Sequence, residues 1–352
     1  MQEGIAVYID MKTGLKTILK SIAAVAIGLA LLDLFCYWYY NPAGYIRDES
    51  RATDVIREPG QFTSRANEGF SWTNIDENGY VNREVPGEDG VFVLMMGSSH
   101  AEGLYVQPGD DMTSQLNGLL RENGLDGFAY NIGISNHDLT RNVNNLDRAL
   151  TRFEPSGYVV IETRTLTHSK SSVYSTLNGS RSRIKPSQVV LSEWISERPL
   201  LRTVYRQLMV MRENEDAAED GDDAGLGEVS QELQDEYLAA MTDLFALVHD
   251  TAEAHGVTPI ILYHPQLILQ EDGSAVPNTN QLALKLYAEA CDAAGVCFLN
   301  LTDAFLERYA QEHILPHGFI NTAPGVGHLN ADGNRIAAEA VCAEILRREA
   351  AK

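Results

Sequence analysis

From Val91 onward the chain repeats one alternation: a short apolar run, then an amphipathic stretch long enough for a helix. The runs Val91–Met96, Phe128–Ile132, Tyr158–Glu162, Thr258–Tyr263 and Cys297–Leu299 do not alternate apolar with polar residues. A strand of that kind is covered on both faces, and the helices between successive strands supply the crossovers that parallel pairing needs. The pattern therefore predicts an α/β domain of three layers, α/β/α, around a parallel sheet. Helices are expected at Met112–Glu122, Leu139–Arg152, Ser230–His255, Gln281–Ala293, Asp303–Glu312 and Ala331–Arg348. Ligands of such sheets gather at the carboxyl ends of the strands. The domain is expected to cover residues 90–352, with an irregular insertion around 166–229. Within the insertion, Glu213–Glu228 carries eight acids and no base but lacks the ligand spacing of an EF-hand, so it reads as a solvated loop.

The amino-terminal part has a different logic. Ser21–Tyr40, "SIAAVAIGLALLDLFCYWYY", is 20 residues long, and a helix of that length spans roughly the 30 Å hydrocarbon core of a bilayer. Its one charge, Asp33, lies off centre, and it closes on Tyr37, Trp38, Tyr39 and Tyr40, rings suited to a membrane–water boundary. A cleaved signal peptide wants small residues after its apolar core, where this chain has bulky aromatics. Phe35 before Cys36 likewise spoils a lipoprotein cleavage site. The segment reads as an uncleaved transmembrane signal anchor after a short cytoplasmic leader, residues 1–20, with the bulk of the chain outside the cell membrane. Residues 41–89 follow as a polar juxtamembrane segment containing the turn signal Asn78-Gly79.

A formal net charge of -22 excludes the basic face that nucleic-acid binding requires. Cys36, Cys291, Cys297 and Cys342 form no metal-type or CxxC spacing, and a Cys291–Cys297 bridge is the less favoured reading. His137, His313 and His317 show no metal spacing either, so neither metal nor cofactor is expected.

Chemistry concentrates at two places. "VFVLMMGSSHAEG", Val91–Gly103, ends a strand in Gly97, two serines and a histidine. A strand-to-helix turn points backbone amides at the space where an oxyanion would form, and Ser99 there needs only a base to become a nucleophile. The bland alternative is a pair of serines capping a helix. Near the carboxyl end, "GHLNADGNRIAAEAV" places His328 on the loop before a helix begun by Asn330 and Asp332, free to reach the sheet edge. "NIGISNHD" after the second strand adds a third polar loop on the same edge.

Taken together these segments resemble the SGNH/GDSL hydrolases, and within them the membrane-anchored, extracytoplasmic branch related to alginate-type O-acetyltransferases. "GSSHAEG" stands at the nucleophile block, "NIGISN" at the second block, and "GHLNADGNRIAAE" at the block of the catalytic histidine, in the family's order. "DENGYVNR" is similar to a segment of the extracytoplasmic branch. The resemblance spans roughly residues 73–350 and implies an SGNH hydrolase-like, flavodoxin-like domain. It implies Ser99 as nucleophile, His328 as base, and an oxyanion hole from Ser99 and Asn136, with Thr165 nearest the third block's donor. The family's acid stands three residues before the histidine, where this chain has Gly325. Asp138, Glu162 and Asp332 are the candidates to replace it, although Asp332 also reads as a helix-start residue. His100, His264 and Arg164 are candidate substrate contacts. The implied activity is that of a serine acyl-esterase or O-acyltransferase on acetyl esters of a cell-surface or exported polysaccharide, with polysaccharide-assembly proteins as partners. An apolar, lipid-sized ester is the other substrate to weigh. The absent acid and the altered third block keep open a second class, a non-catalytic glycan-binding or scaffold protein on the same frame.

Overall fold

In the computed structural model, the described residues are 2–39, 44–47, 51–65, 68–87, 90–178, 198–205, 208 and 230–352. The chain divides into two compact units, Met1–Asn41 with Ile184–Ala218, and Pro42–Arg183 with Glu219–Lys352. The first contains helix α1 (Gln2–Tyr39), which starts well before the apolar run does. Its Thr13–Tyr37 stretch is long and apolar enough to cross a membrane. Within this unit the carboxylate of Asp33 accepts the backbone N–H of Leu200 at 2.9 Å, giving the one charge of the apolar run a partner.

The second unit holds the predicted sheet. Its strands are β5 (Val93–Met96), β6 (Ala129–Asn131), β7 (Tyr158–Thr163), β8 (Thr258–Tyr263) and β9 (Cys297–Asn300), all parallel, in the order β9-β8-β7-β5-β6. The pleat sends alternate side chains to opposite faces, and two cores result. Leu94, Met96, Val159, Ile161, Ile261 and Tyr263 meet helices α4 (Leu139–Phe153), α6 (Gln231–Ala254) and α7 (Gln281–Ala293). Val93, Met95, Tyr158, Val160, Ile260 and Leu262 meet α3 (Met112–Glu122), α8 (Thr302–Glu312) and α9 (Ala331–Glu349). Each of these strand residues is at most 1% exposed, so each contributes roughly 1.5–3 kcal/mol of burial. Aspartate or asparagine caps fix the helix starts on the functional edge: Asp111 accepts from Ser114 N–H, Asp138 from Arg141 N–H and Asn330 from Gly333 N–H. A short helix α5 (Lys170–Leu177) packs on this unit through Val173; most of the rest of the 166–229 insertion, including Glu213–Glu228, lies outside the described residues.

Residues 41–89 read from sequence as a juxtamembrane segment. From Pro42 they belong to the same unit as the sheet, and they form two antiparallel pairs, β1 (Tyr45–Arg47) with β2 (Val55–Arg57) and β3 (Gly60–Arg65) with β4 (Phe70–Ile75). Two buried polar joints tie them down. Arg57, 6% exposed, makes a two-point ion pair with the fully buried Glu102 at 2.7 and 3.1 Å. The "DENGYVNR" turn supplies Asn82, whose carboxamide pairs with the backbone of Asn131 at 2.9 and 3.0 Å as a strand neighbour would. Asp76 of the same turn accepts from Asn82, from the backbone N–H groups of Asn78 and Tyr80, and from the Tyr130 hydroxyl. All four cysteines are free, Cys291 and Cys297 included.

Candidate active site

β5 ends at Met96, and the chain turns through Gly97 into α2 (Ser99–Glu102), a single turn closed by Gly103 at φ 72°. Ser98 is the N-cap and Ser99 the first helical residue. His328 comes from the loop before α9. Its carbonyl accepts Gly318 N–H at 3.0 Å, and the next residue, Leu329, donates its N–H to His100 Nδ1 at 3.1 Å. These bonds bring the ring to Ser99: Nε2 lies 2.7 Å from Oγ, across 229 residues of sequence.

The carboxylate behind the ring is Glu68. Its Oε2 lies 2.7 Å from His328 Nδ1 and accepts the His328 backbone N–H at 2.8 Å. A carboxylate can only accept, so Nδ1 carries the ring proton and Nε2 turns its lone pair to the serine hydroxyl. Both side chains are about one-fifth exposed. Burial alone raises a carboxyl's pKa, but the His328 hydrogen bonds and charge attraction, with Arg164 nearby, outweigh it and leave Glu68 below the ordinary carboxylate range. Glu68 sits between β3 and β4, in the segment read from sequence as juxtamembrane. Nothing in "RANEGF" marks it, and only the hairpin's return to the sheet edge puts it there.

None of the three acids nominated from sequence stands behind His328. Asp138 caps α4, accepting from Arg141 N–H and the Thr140 hydroxyl. Asp332 lies exposed in the first turn of α9, where its charge suits the helix dipole. Glu162, 1% exposed at the end of β7, faces Ser98 and His264 instead. The family's acid position is closed as well. Gly325 has φ +78°, and a Cβ there would stand 2.7 Å from the Leu267 carbonyl oxygen. Gly327 serves the acid that is present: at φ +115°, it has an open α-carbon against the Glu68 carboxylate, 3.0 Å from where a Cβ would be.

The pair opens on a cleft of about 510 Å³ lined by Ser98, Ser99, His100, Asn136, Thr165 and Arg164, with Glu68, Glu162 and His328. Asn136 has φ 65°, a left-handed conformation, two residues before the Asp138 cap of α4. The nominated oxyanion residues Asn136 and Thr165 and two of the nominated contacts, His100 and Arg164, therefore share one cleft with Ser99. His264 does not line it. It is fully buried, with Nε2 2.8 Å from Glu162 Oε1 and Nδ1 3.3 Å from His317 Nε2. Imidazoles aside, Leu139 is the one large apolar side chain lining the cleft among the described residues.

His100, His264 and His317 form a buried imidazole cluster that no sequence spacing announces. Burial, then neighbouring imidazoles and Arg164, push His100 and His317 well below the usual histidine range, so both rings are neutral. A neutral ring has one N–H and one lone pair. His100 Nδ1 is occupied by Leu329 N–H, so Nε2 holds the proton and neither nitrogen is open to an ion. The donor set does not suit a three-histidine metal centre.

No family model and no curated protein matches this chain. Solved structures that superpose on it include TesA, at 13% identity and TM-score 0.39 over 73% of this chain and 98% of that one. A psychrotrophic esterase, EstA, from a Pseudoalteromonas species, inhibited by monoethylphosphonate, gives 11% and 0.37 over 74% and 99%. The acetyl xylan esterase AlAXEase gives 12% and 0.41 over 72% and 99%. Likeness at this level leaves the chemistry to be read from the site itself.

Proposed function

We propose that this chain is a membrane-anchored serine acyl-esterase or O-acyltransferase of the SGNH hydrolase type, with Ser99, His328 and Glu68 as its triad. One observation carries the reading: His328 is hydrogen-bonded at once to a serine hydroxyl at the head of a helix and to a carboxylate on its far nitrogen. In that arrangement His328 Nε2 takes the Ser99 proton as Oγ attacks the ester carbonyl. The backbone amides of Ser99 and Asn136, with Thr165, receive the oxyanion. Nε2–H then protonates the leaving alkoxide, and water or a sugar hydroxyl, deprotonated by the same nitrogen, resolves the acyl-enzyme. Glu68 holds the tautomer and balances the imidazolium that forms between the two transfers.

The lining supports a small acyl group on a polar carrier. A cleft with Leu139 as its only large apolar wall has little to offer a long hydrocarbon chain, whereas hydroxyl, amide, imidazole and guanidinium groups suit a sugar. An acetyl ester of a cell-surface or exported polysaccharide is therefore the proposed substrate, with polysaccharide-assembly proteins as partners. α1 is the proposed anchor, holding the sheet domain on the extracytoplasmic side. The non-catalytic alternative rests on the missing acid at Gly325 and on the altered third block at Thr165; the Glu68 carboxylate on His328 weighs against the first of these.

The test is covalent labelling of the full-length protein in detergent with a serine-directed fluorophosphonate, alongside turnover of p-nitrophenyl acetate. Both signals are expected, and both are expected to vanish in Ser99→Ala. A label unaffected by that substitution, or no label and no turnover at all in folded protein, would sink the proposal.

A further inference from the structure

Beneath the triad lies a second carboxylate–imidazole pair that the mechanism above does not use. Glu162 is 1% exposed, and its two oxygens are divided. Oε2 accepts the Ser98 backbone N–H at 2.7 Å and the Ser98 hydroxyl at 2.9 Å. Oε1 faces His264 Nε2 at 2.8 Å, and His264 Nδ1 in turn faces His317 Nε2 at 3.3 Å. Burial works against ionisation, but His264 and the two Ser98 donors keep the Glu162 carboxyl below its ordinary range. The contact is built into the backbone: a Cβ on Gly97 would lie 2.6 Å from Oε2 and 2.7 Å from the Ala101 Cβ.

We infer that Glu162, held by His264, is a positioning residue that grips the nucleophile turn from below and so sets where Ser99 points. The inference rests on the proposed triad. A four-residue helix has little cooperativity of its own, so its first residue needs an external fixture, and Glu162 provides two hydrogen bonds to the residue immediately before Ser99. It also has a consequence for the oxyanion hole. The Ser98 amide is occupied by a carboxylate, which assigns the stabilising amides to Ser99 and to the 136 loop rather than to Ser98.

The test compares Glu162→Ala, Glu162→Gln and Gly97→Ala in the full chain, with kcat, KM and fluorophosphonate labelling read beside the melting temperature. Removing hydrogen bonds to a buried charged group is worth about 10- to 100-fold when its effect falls on the reacting geometry. Glu162→Ala is expected to lower kcat and the labelling rate by about that factor with KM within about twofold. Glu162→Gln keeps an acceptor for Ser98, and its amide N–H₂ suits the other His264 tautomer, so it is expected to recover much of the loss. Gly97→Ala, which crowds the carboxylate while leaving residue 162 a glutamate, is expected to mimic Glu162→Ala and to add little to it in the double variant. Folded Glu162→Ala or Gly97→Ala with wild-type kcat overturns the inference, as does additive loss in the double variant. Should Glu162→Ala fail to fold, Gly97→Ala decides alone. Ser99→Ala separates the two claims: if it abolishes turnover while these variants do not, the triad stands and the positioning role falls.

Discussion

Replacing Glu68 by glutamine tests the least expected residue of the site at nearly constant volume. The carboxylate accepts two bonds from His328, one from Nδ1 and one from the backbone N–H. Both bonds reach one oxygen, Oε2, so a glutamine carbonyl oxygen in that place keeps both and leaves Nδ1 protonated. What glutamine removes is the charge. A carboxylate about 4 Å from an imidazolium is worth ~4 kcal/mol at an effective dielectric near 20. Exposure of about one-fifth on both side chains trims this to about 3–4 kcal/mol. At about 1.4 kcal/mol per tenfold, kcat should fall between about 10² and 10³-fold. KM should change by less than about threefold, since both hydrogen bonds described for Glu68 go to His328. The assay is steady-state turnover of p-nitrophenyl acetate from pH 5 to 9, with circular dichroism melting as the fold control. Because the Glu68 carboxyl lies below the ordinary range, it stays ionised across that interval, and the wild-type acid limb should belong to other groups. A folded Glu68→Gln enzyme retaining more than about a tenth of the wild-type kcat would refute this account of the acid.

Other substitutions probe the frame. Gly325→Asp in a Glu68→Ala background, which restores the acid at the family's usual position, should not rescue activity: φ +78° and the Leu267 carbonyl oppose any side chain there, and the melting temperature should drop. Arg57→Ala leaves Glu102 charged and buried, and chemical denaturation should report a loss of about 3–5 kcal/mol. His137, 1% exposed, is held neutral by burial and by Arg141, with its pKa depressed to about 4. The unfolded chain takes up that proton near pH 6.5 and the folded chain does not, so His137 contributes stability above pH 6.5 that is lost as pH falls to about 4. The shift corresponds to about 3 kcal/mol, and His137→Gln should flatten the denaturation midpoint against pH over that window.

Much of the molecule was legible because its signals are local. Each central strand is a continuous apolar run, and five of the six flanking helices carry a capping side chain at their start, so Thr258–Tyr263 and Met112–Glu122 appear in the structure with the bounds read from sequence. Ser99 and His328 could be named because each sits in a short block with helix-start grammar around it. Glu68 could not. Its role depends on a hairpin folding back across 260 residues of sequence, and a lone glutamate before a glycine has no spacing to betray that. The β1–β4 pairs escaped notice because their strands are short and polar on one side, and Asn82 substitutes a side chain for a strand's backbone. His264 was placed in the cleft because it ends a strand on the right edge. Its ring turns inward because Glu162 and His317, distant in sequence, already occupy both nitrogens.

The hairpin that bears Glu68 also sets the order in which the proposed triad is completed. Glu68 is translated first, Ser99 thirty-one positions later and His328 last of the three. A nascent chain therefore holds no base for the serine until His328 has emerged. A single cut between Glu68 and Ser99 would leave the acid on one fragment and the serine and imidazole on the other.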